Sequence, residues 1–119
     1  MKYGGQEEEL YMKEDAEKRK ATPVFTGVLK YFPDALLEVT KASLAGNSQH
    51  LAGQPLHWDR AKSQDQMDAL TRHLLDYARG NEFDTDGVRH LTKVVWRGLA
   101  ALQQTLEREK EEKYGKKNL

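Results

Sequence analysis

The sequence contains no cysteine among its 119 residues, which excludes a disulfide scaffold, a zinc finger, an iron–sulfur site and a thiol nucleophile. No apolar run approaches the roughly 18 residues that a membrane-spanning helix needs. The 19 basic and 19 acidic side chains cancel, so the chain lacks the basic surface of a dedicated nucleic-acid-binding protein. Glutamates at positions 7–9 closely follow the N-terminus, so we expect no signal peptide and a cytoplasmic location.

Charged residues are concentrated at the two ends of the chain. Residues 1–22 and 107–119 together hold about half of them and almost no apolar side chains. Such segments bury too little surface to offset the entropy that ordering costs. We therefore expect a charged N-terminal tail or arm over 1–22, one folded domain over 23–106, and a charged helix end and tail over 107–119.

Two segments show the residue spacing of amphipathic α-helices with recognisable ends. The first begins at Pro33, which suits the first helical turn, and is expected to stop at Gly46-Asn47. The second is expected to begin at Ser63, because Gln66 three residues later completes a capping-box pattern. Gly80 is expected to end this second helix.

A third helix is expected to start near Asp86-Gly87 and to carry the longest apolar stripe. The stripe consists of Val88, Leu91, Val95, Leu99, Leu102 and Leu106. No segment alternates with a period of two, so the sequence predicts an all-α bundle of three main helices. Since three amphipathic helices make a thin core, we expect a homodimer or homotetramer to complete it.

A long loop, 47–62, joins the first two predicted helices. Its distinctive residues are His50, Gly53, Pro55, His57, Trp58, Arg60 and Lys62. A loop of this length in a compact domain is usually functional or disordered. Two alternatives follow: Trp58 packs on the bundle and pins the loop, or the loop is a lid that stacks on a flat ligand.

The polar faces of the helices also have two explanations. In the first, they are solvated: Asp68, Arg72 and Asp76 have the spacing of ordinary i,i+4 ion pairs, and Asp84 and Asp86 cap the third helix. In the second, carboxylates hold a hard cation, the candidates being Glu38, Asp68, Asp84 and Asp86. Basic side chains then bind a polyphosphate, the candidates being Lys41, Lys62, Arg72, Lys93 and Arg97.

An ordered series of short motifs covers roughly residues 22–107. It includes TGVLKYFPDAL at 26–36, GNSQH at 46–50, GQPLHW at 53–58, DAL at 68–70, RHL at 72–74, DTDG at 84–87 and KVVWRGLA at 93–100. This series resembles a phage-associated family of dATP/dGTP diphosphohydrolase-like proteins, related to the MazG-type all-α nucleotide pyrophosphohydrolases. The Glu-x-x-Glu and Glu-x-x-Asp pairs of MazG enzymes are not present in their usual form on the central helices.

The resemblance implies a nucleoside triphosphate pyrophosphohydrolase that uses Mg²⁺, or Mn²⁺, and acts in nucleotide-pool control. The expected metal ligands are Glu38, Asp68, Asp84, Asp86 and His90, and the expected general bases are His73 and Asp68. The expected substrate-binding residues are Lys41, His50, His57, Trp58, Lys62, Arg72, Lys93 and Arg97. The alternative function is a non-enzymatic helical protein that binds a nucleotide or a host partner. For His73 and His90 a purely structural role is a further alternative.

Overall fold

A computed structural model describes residues 15–50, 53–62 and 64–117 of the chain. These residues belong to two compact units, one reaching Leu36 and the other beginning at Leu37. The expected tail over 1–22 lies mostly outside the described residues, and the proposed domain limits stay a prediction. Residues 15–20 are helical, with an ion pair of 3.2 Å between Arg19 and Asp15.

The unit that ends at Leu36 contains a short π-helical turn, Phe25–Leu29. The Lys30 N–H closes this turn on the Phe25 carbonyl at 2.9 Å. The rings of Tyr31 and Phe32 then meet edge to face, with centroids 5.9 Å apart. This local packing leads directly into the first α-helix at Pro33, as the sequence predicts.

The described structure has three longer α-helices: α1, Pro33–His50; α2, Gln66–Ala78; and α3, His90–Lys117. The predicted all-α class is therefore confirmed. Within the described residues, the chain has no strand beyond one isolated antiparallel bridge between Phe83 and Arg89. No helix in this part of the chain is long and apolar enough to cross a membrane.

The helix limits differ from the predictions in three places. Helix α1 continues past Gly46, because glycine permits a left-handed stop but does not impose one. Helix α2 begins at Gln66 behind Asp65, which makes no side-chain capping bond, while Ser63 lies outside the described residues. Helix α3 begins at His90, because the preceding residues form the Phe83–Arg89 bridge and a tight turn.

Helix α2 ends as predicted, at a glycine in the left-handed region. Gly80 has φ +91°. Its N–H bonds to the Tyr77 carbonyl at 3.0 Å, and the Asn81 N–H bonds to the Asp76 carbonyl at 3.0 Å. This pair of bonds is a Schellman motif, which satisfies the last carbonyls of the helix and turns the chain towards α3.

Helices α2 and α3 pack against each other through small side chains. Ala69 of α2 and Ala100 of α3 are both almost completely buried. At Gly98 of α3, the methyl carbon Cδ1 of Leu70 lies 3.7 Å from where a Cβ would stand. The buried hydrophobic core of the described residues is accordingly small, with Val39 and Val88 as its other members.

Much of the predicted apolar stripe of α3 remains accessible. The exposed fraction is 50% for Leu99, 56% for Leu102 and 45% for Leu106. A row of exposed leucines along one helix is typical of an interaction surface. We therefore expect α3 to pack against a second copy of the chain.

Light scattering at micromolar concentration should give the mass of a dimer or a tetramer. Leu102→Arg should shift this mass towards the monomer, because a charge on the apolar stripe opposes its burial. Gln103→Arg is the matched control, since it adds the same charge at the neighbouring exposed position. A monomeric mass for the unmodified chain would contradict this expectation.

Candidate functional site

A cavity of about 500 Å³ lies among the second half of α1, the loop over 53–62, α2, the turn before α3, and α3 itself. Its wall contains eight of the residues singled out from the sequence: His57, Trp58, Lys62, His73, Asp84, Asp86, Lys93 and Arg97. Distant parts of the chain therefore supply carboxylates, cations, imidazoles and an aromatic ring to one space. All of these belong to the unit that begins at Leu37.

The turn before α3 places the two cavity aspartates. The Gly87 N–H bonds to the Asp84 carbonyl at 2.9 Å, and Gly87 has φ +82°, which favours glycine. The Asp84 carboxylate accepts the Thr85 N–H at 2.7 Å, and the Asp86 carboxylate accepts the Val88 N–H at 3.0 Å. Each aspartate thus fixes the turn with one oxygen and presents the other to the cavity.

Lys93 holds these two carboxylates together from the first turn of α3. Its Nζ lies 2.7 Å from Asp84 Oδ2 and 2.6 Å from Asp86 Oδ2. Partial burial acts to raise the pKa of Asp84, but hydrogen bonds from Lys93 and the Thr85 N–H outweigh it and lower the pKa to about 2. Burial acts in the same way on Asp86, but hydrogen bonds from Lys93 and the Val88 N–H outweigh it and lower the pKa of this carboxyl. Burial acts to lower the pKa of Lys93, but its hydrogen bonds to Asp84 and Asp86 outweigh it and raise this pKa. All three groups are charged at neutral pH.

Two histidines meet next to Lys93 and the two aspartates. His73 of α2 and His90 at the start of α3 place their Nδ1 atoms 2.9 Å apart, with ring centroids separated by 5.2 Å. Burial and the charge of Lys93 lower the pKa of His73, which favours the neutral ring. His73 Nδ1 is also 4.0 Å from Asp84 Oδ2. One donor atom from each of these three residues lies within 4.8 Å of the others.

Aromatic rings form another part of the cavity wall. Trp58 meets Trp96 of α3 edge to face at 5.7 Å, and Trp96 Nε1–H donates to Ser43 Oγ of α1 at 2.8 Å. Trp58 thus packs on the bundle, as one of the two sequence-based alternatives proposes, and it also lines the cavity. Its buried Nε1–H has no hydrogen-bond partner among the described residues.

Two anchors hold the loop that carries Trp58. At its start, the Asn47 side chain donates to the Gln54 carbonyl at 3.1 Å and accepts the His57 N–H at 3.3 Å. At its end, Arg60 lies over the Trp58 ring at 4.1 Å and donates twice to the Glu107 carboxylate, at 3.1 and 3.0 Å. The loop is therefore tied to α1 and to the middle of α3.

Arg97 of α3 lines the cavity and is held in place by a hydrogen bond to Gln66 of α2. Its NH1 donates to Gln66 Oε1 at 2.9 Å, and Gln66 is only 4% exposed. Gln66, Ser43 and Trp96 are not among the site residues expected from the sequence. Trp96 could have been found from its spacing, because positions 93, 96 and 97 share one face of a helix and two of them are expected site residues.

The remaining predicted site residues lie elsewhere. Glu38 pairs with Lys41 at 2.8 Å and lies 3.7 Å from Arg89, so it is engaged outside the cavity wall. Arg72 pairs with Asp65 at 3.2 Å on an exposed surface. Asp68 is exposed in the first turn of α2. The side chain of His50 lies outside the described residues, so its role stays a prediction.

Residues 11–114 match the model of the family described as dATP/dGTP diphosphohydrolase, N-terminal. This match covers most of the chain and confirms the resemblance that the ordered motifs indicate. No curated protein and no solved structure matches the chain.

Replacement of Gly87 should test the turn that places the aspartates. Gly87→Ala forces a left-handed conformation on a residue with a Cβ, so we expect a loss of about 1–2 kcal/mol in the free energy of unfolding. Gly46→Ala is the control, because Gly46 lies inside α1 with open space around it and alanine favours helix by about 0.5–1 kcal/mol. Thermal melting should therefore move in opposite directions for the two variants. Equal melting temperatures would contradict this account of the turn.

Proposed function

This chain belongs to the family described as dATP/dGTP diphosphohydrolase, N-terminal, and from that premise we propose that its cavity hydrolyses a (deoxy)nucleoside triphosphate. The products would be a nucleoside monophosphate and pyrophosphate, and the activity would serve nucleotide-pool control, as in the phage-associated proteins that the motifs resemble. The family name makes dATP and dGTP the first substrates to test.

One observation supports this proposal above the others: the cavity gathers ionised carboxylates and basic side chains beside an aromatic wall. Asp84 and Asp86 both bond to Lys93. Lys62 and Arg97 add further positive charge to the cavity wall. Such a combination suits a triphosphate that carries a metal ion, since the basic groups bind the phosphate charge that the ion leaves uncompensated.

Mg²⁺, with Mn²⁺ as the alternative, would enter with the triphosphate. Mg²⁺ prefers one or two carboxylates together with phosphate oxygens and water, and the turn offers Asp84 and Asp86 as ionised oxygen donors. These two residues therefore fit a nucleotide-bound Mg²⁺. When bound, the ion would supply Lewis-acid stabilisation of the phosphate charge.

The residues of the cavity suit the other needs of the reaction. A water molecule would attack the α-phosphorus, the bond to the oxygen bridging the α- and β-phosphates would break, and pyrophosphate would leave. The proton of that water would pass to a carboxylate or imidazole of the cavity wall. Lys93 and Arg97 would hold the phosphates in place, while Trp58 and Trp96 offer ring faces and edges to the base.

Nucleotide binding without turnover is the second candidate function. It is favoured by one observation, namely that Glu38 and Asp68 lie away from the cavity and leave it with two acidic side chains besides Asp59. Release of pyrophosphate from dATP or dGTP in the presence of Mg²⁺ or Mn²⁺ separates the two functions, because a binding protein would give none.

Asp84→Asn and Asp68→Asn form a matched pair for turnover. Asp84→Asn should lower the rate of pyrophosphate release by roughly 100-fold or more, because the ion that stabilises transition-state charge would lose a charged ligand. From the sequence we expect the same loss for Asp68→Asn, whereas the exposed position of Asp68 outside the cavity predicts little change. Full activity in Asp84→Asn would exclude the cavity as the site of the reaction.

Arg97→Ala and Trp58→Ala should weaken nucleotide binding. Loss of a charge-assisted contact to phosphate costs about 1.5–3 kcal/mol, or roughly ten- to a hundredfold in affinity. Arg72→Ala is the control, because Arg72 is an exposed arginine that does not line the cavity. Trp58→Phe keeps much of the packing on Trp96, so melting curves beside nucleotide titrations separate lost binding from lost stability. Unaltered affinity in both alanine variants would remove these residues from the site.

A further inference from the structure

The cluster formed by His73, Asp84 and His90 has a donor set that differs from the one expected for Mg²⁺. It offers two imidazole nitrogens and one carboxylate, with donor atoms within 4.8 Å of one another. Among the described residues, no other group of three histidine, aspartate or glutamate side chains lies this close. Imidazole nitrogen suits first-row transition metals, whereas Mg²⁺ prefers oxygen.

We propose that His73, Asp84 and His90 bind a transition-metal ion of the series from Mn²⁺ to Zn²⁺, which the protein holds before any nucleotide arrives. Three protein ligands leave further coordination positions for water or phosphate oxygens. The ligands come from α2, from the turn at Asp84 and from the first residue of α3. Folding of the chain alone therefore brings them together.

The spacing of the two imidazoles supports this role. Their Nδ1 atoms are 2.9 Å apart, and two nitrogens bound at about 2.1 Å to adjacent positions of one octahedral ion are about 3 Å apart. Without an ion, two neutral rings can satisfy this contact only if one Nδ1 carries a hydrogen and the other does not. An ion instead uses the lone pairs of both nitrogens in the same way.

Groups around the cluster also suit a metal site. The Nε2 atom of His90 lies 3.9 Å from Asp76 Oδ2, so the ring edge away from His73 faces a carboxylate. Histidine ligands commonly direct their second nitrogen towards such an acceptor, which orients the ring. Asp84 is oriented in turn by the Thr85 N–H on its Oδ1. His90 is 5% exposed, so the ion would have one side closed to solvent.

Lys93 sets the charge of the occupied site. Its ammonium group bonds to Asp84 Oδ2 and to Asp86 Oδ2, so the two aspartates and the lysine together carry one negative charge. A divalent ion at the histidines would make this group positive overall, which suits a polyanionic substrate in the adjoining cavity. His73 would then be a metal ligand and not the general base expected from the sequence.

The full-length chain, stripped of metal with a chelator, tests the proposal by titration calorimetry with Mn²⁺, Co²⁺ and Zn²⁺ and without nucleotide. One ion should bind per chain, and millimolar Mg²⁺ should not displace it. His73→Ala and Asp84→Asn should each weaken binding by at least about tenfold. His57→Ala is the matched control, because His57 lines the same cavity but stands outside the cluster. Circular dichroism and melting curves show whether the variants remain folded.

The proposal would be overturned by three results: no binding of the three ions by the folded chain, equal binding by His73→Ala, or displacement of the ion by millimolar Mg²⁺. Loss of turnover in His73→Ala with unchanged metal binding would likewise overturn it, and would indicate the general-base role. Since the titrations contain no nucleotide, failure of this inference and failure of the proposed hydrolysis are separate results.

Discussion

The contact of Lys93 with Asp84 and Asp86 fixes the geometry on which the cavity depends. It joins the first turn of α3 to the turn that precedes it, and it holds two carboxylates close together that would otherwise repel each other. The same turn positions His90 at the helix start and so brings it to His73. One partly buried cation therefore holds the two acidic groups in place beside the imidazole pair.

The sequence predicts the fold class better than it predicts which polar side chains meet in the cavity. Helical spacing identifies all three helices, and the motif series points to His73, Asp84, Asp86, Lys93 and Arg97, which the structure brings into one wall. Spacing along a helix shows which residues share a face. It does not show how far one helix is rotated about its axis relative to its neighbour, because that depends on packing between helices.

Glu38 and Asp68 illustrate this limit. Both stand on polar helix faces, where a metal ligand and a solvated carboxylate have the same sequence signature. In the structure Glu38 is engaged by Lys41 and Arg89, and Asp68 is exposed. Gln66 shows the opposite case: its place in a capping-box pattern suggests a helix end, yet the buried amide orients Arg97. Roles of this kind depend on contacts between elements that are far apart in the sequence.

The loop that carries Trp58 is held by two attachments of different physical character. Its attachment to Asn47 is made of neutral hydrogen bonds, whereas its attachment to Glu107 is an ion pair with Arg60 in which both groups are partly exposed. Dissolved ions screen exposed charges and leave short neutral hydrogen bonds almost unaffected. Rising ionic strength therefore weakens the attachment of the loop to α3 through Glu107 and leaves its attachment to Asn47 of α1 in place.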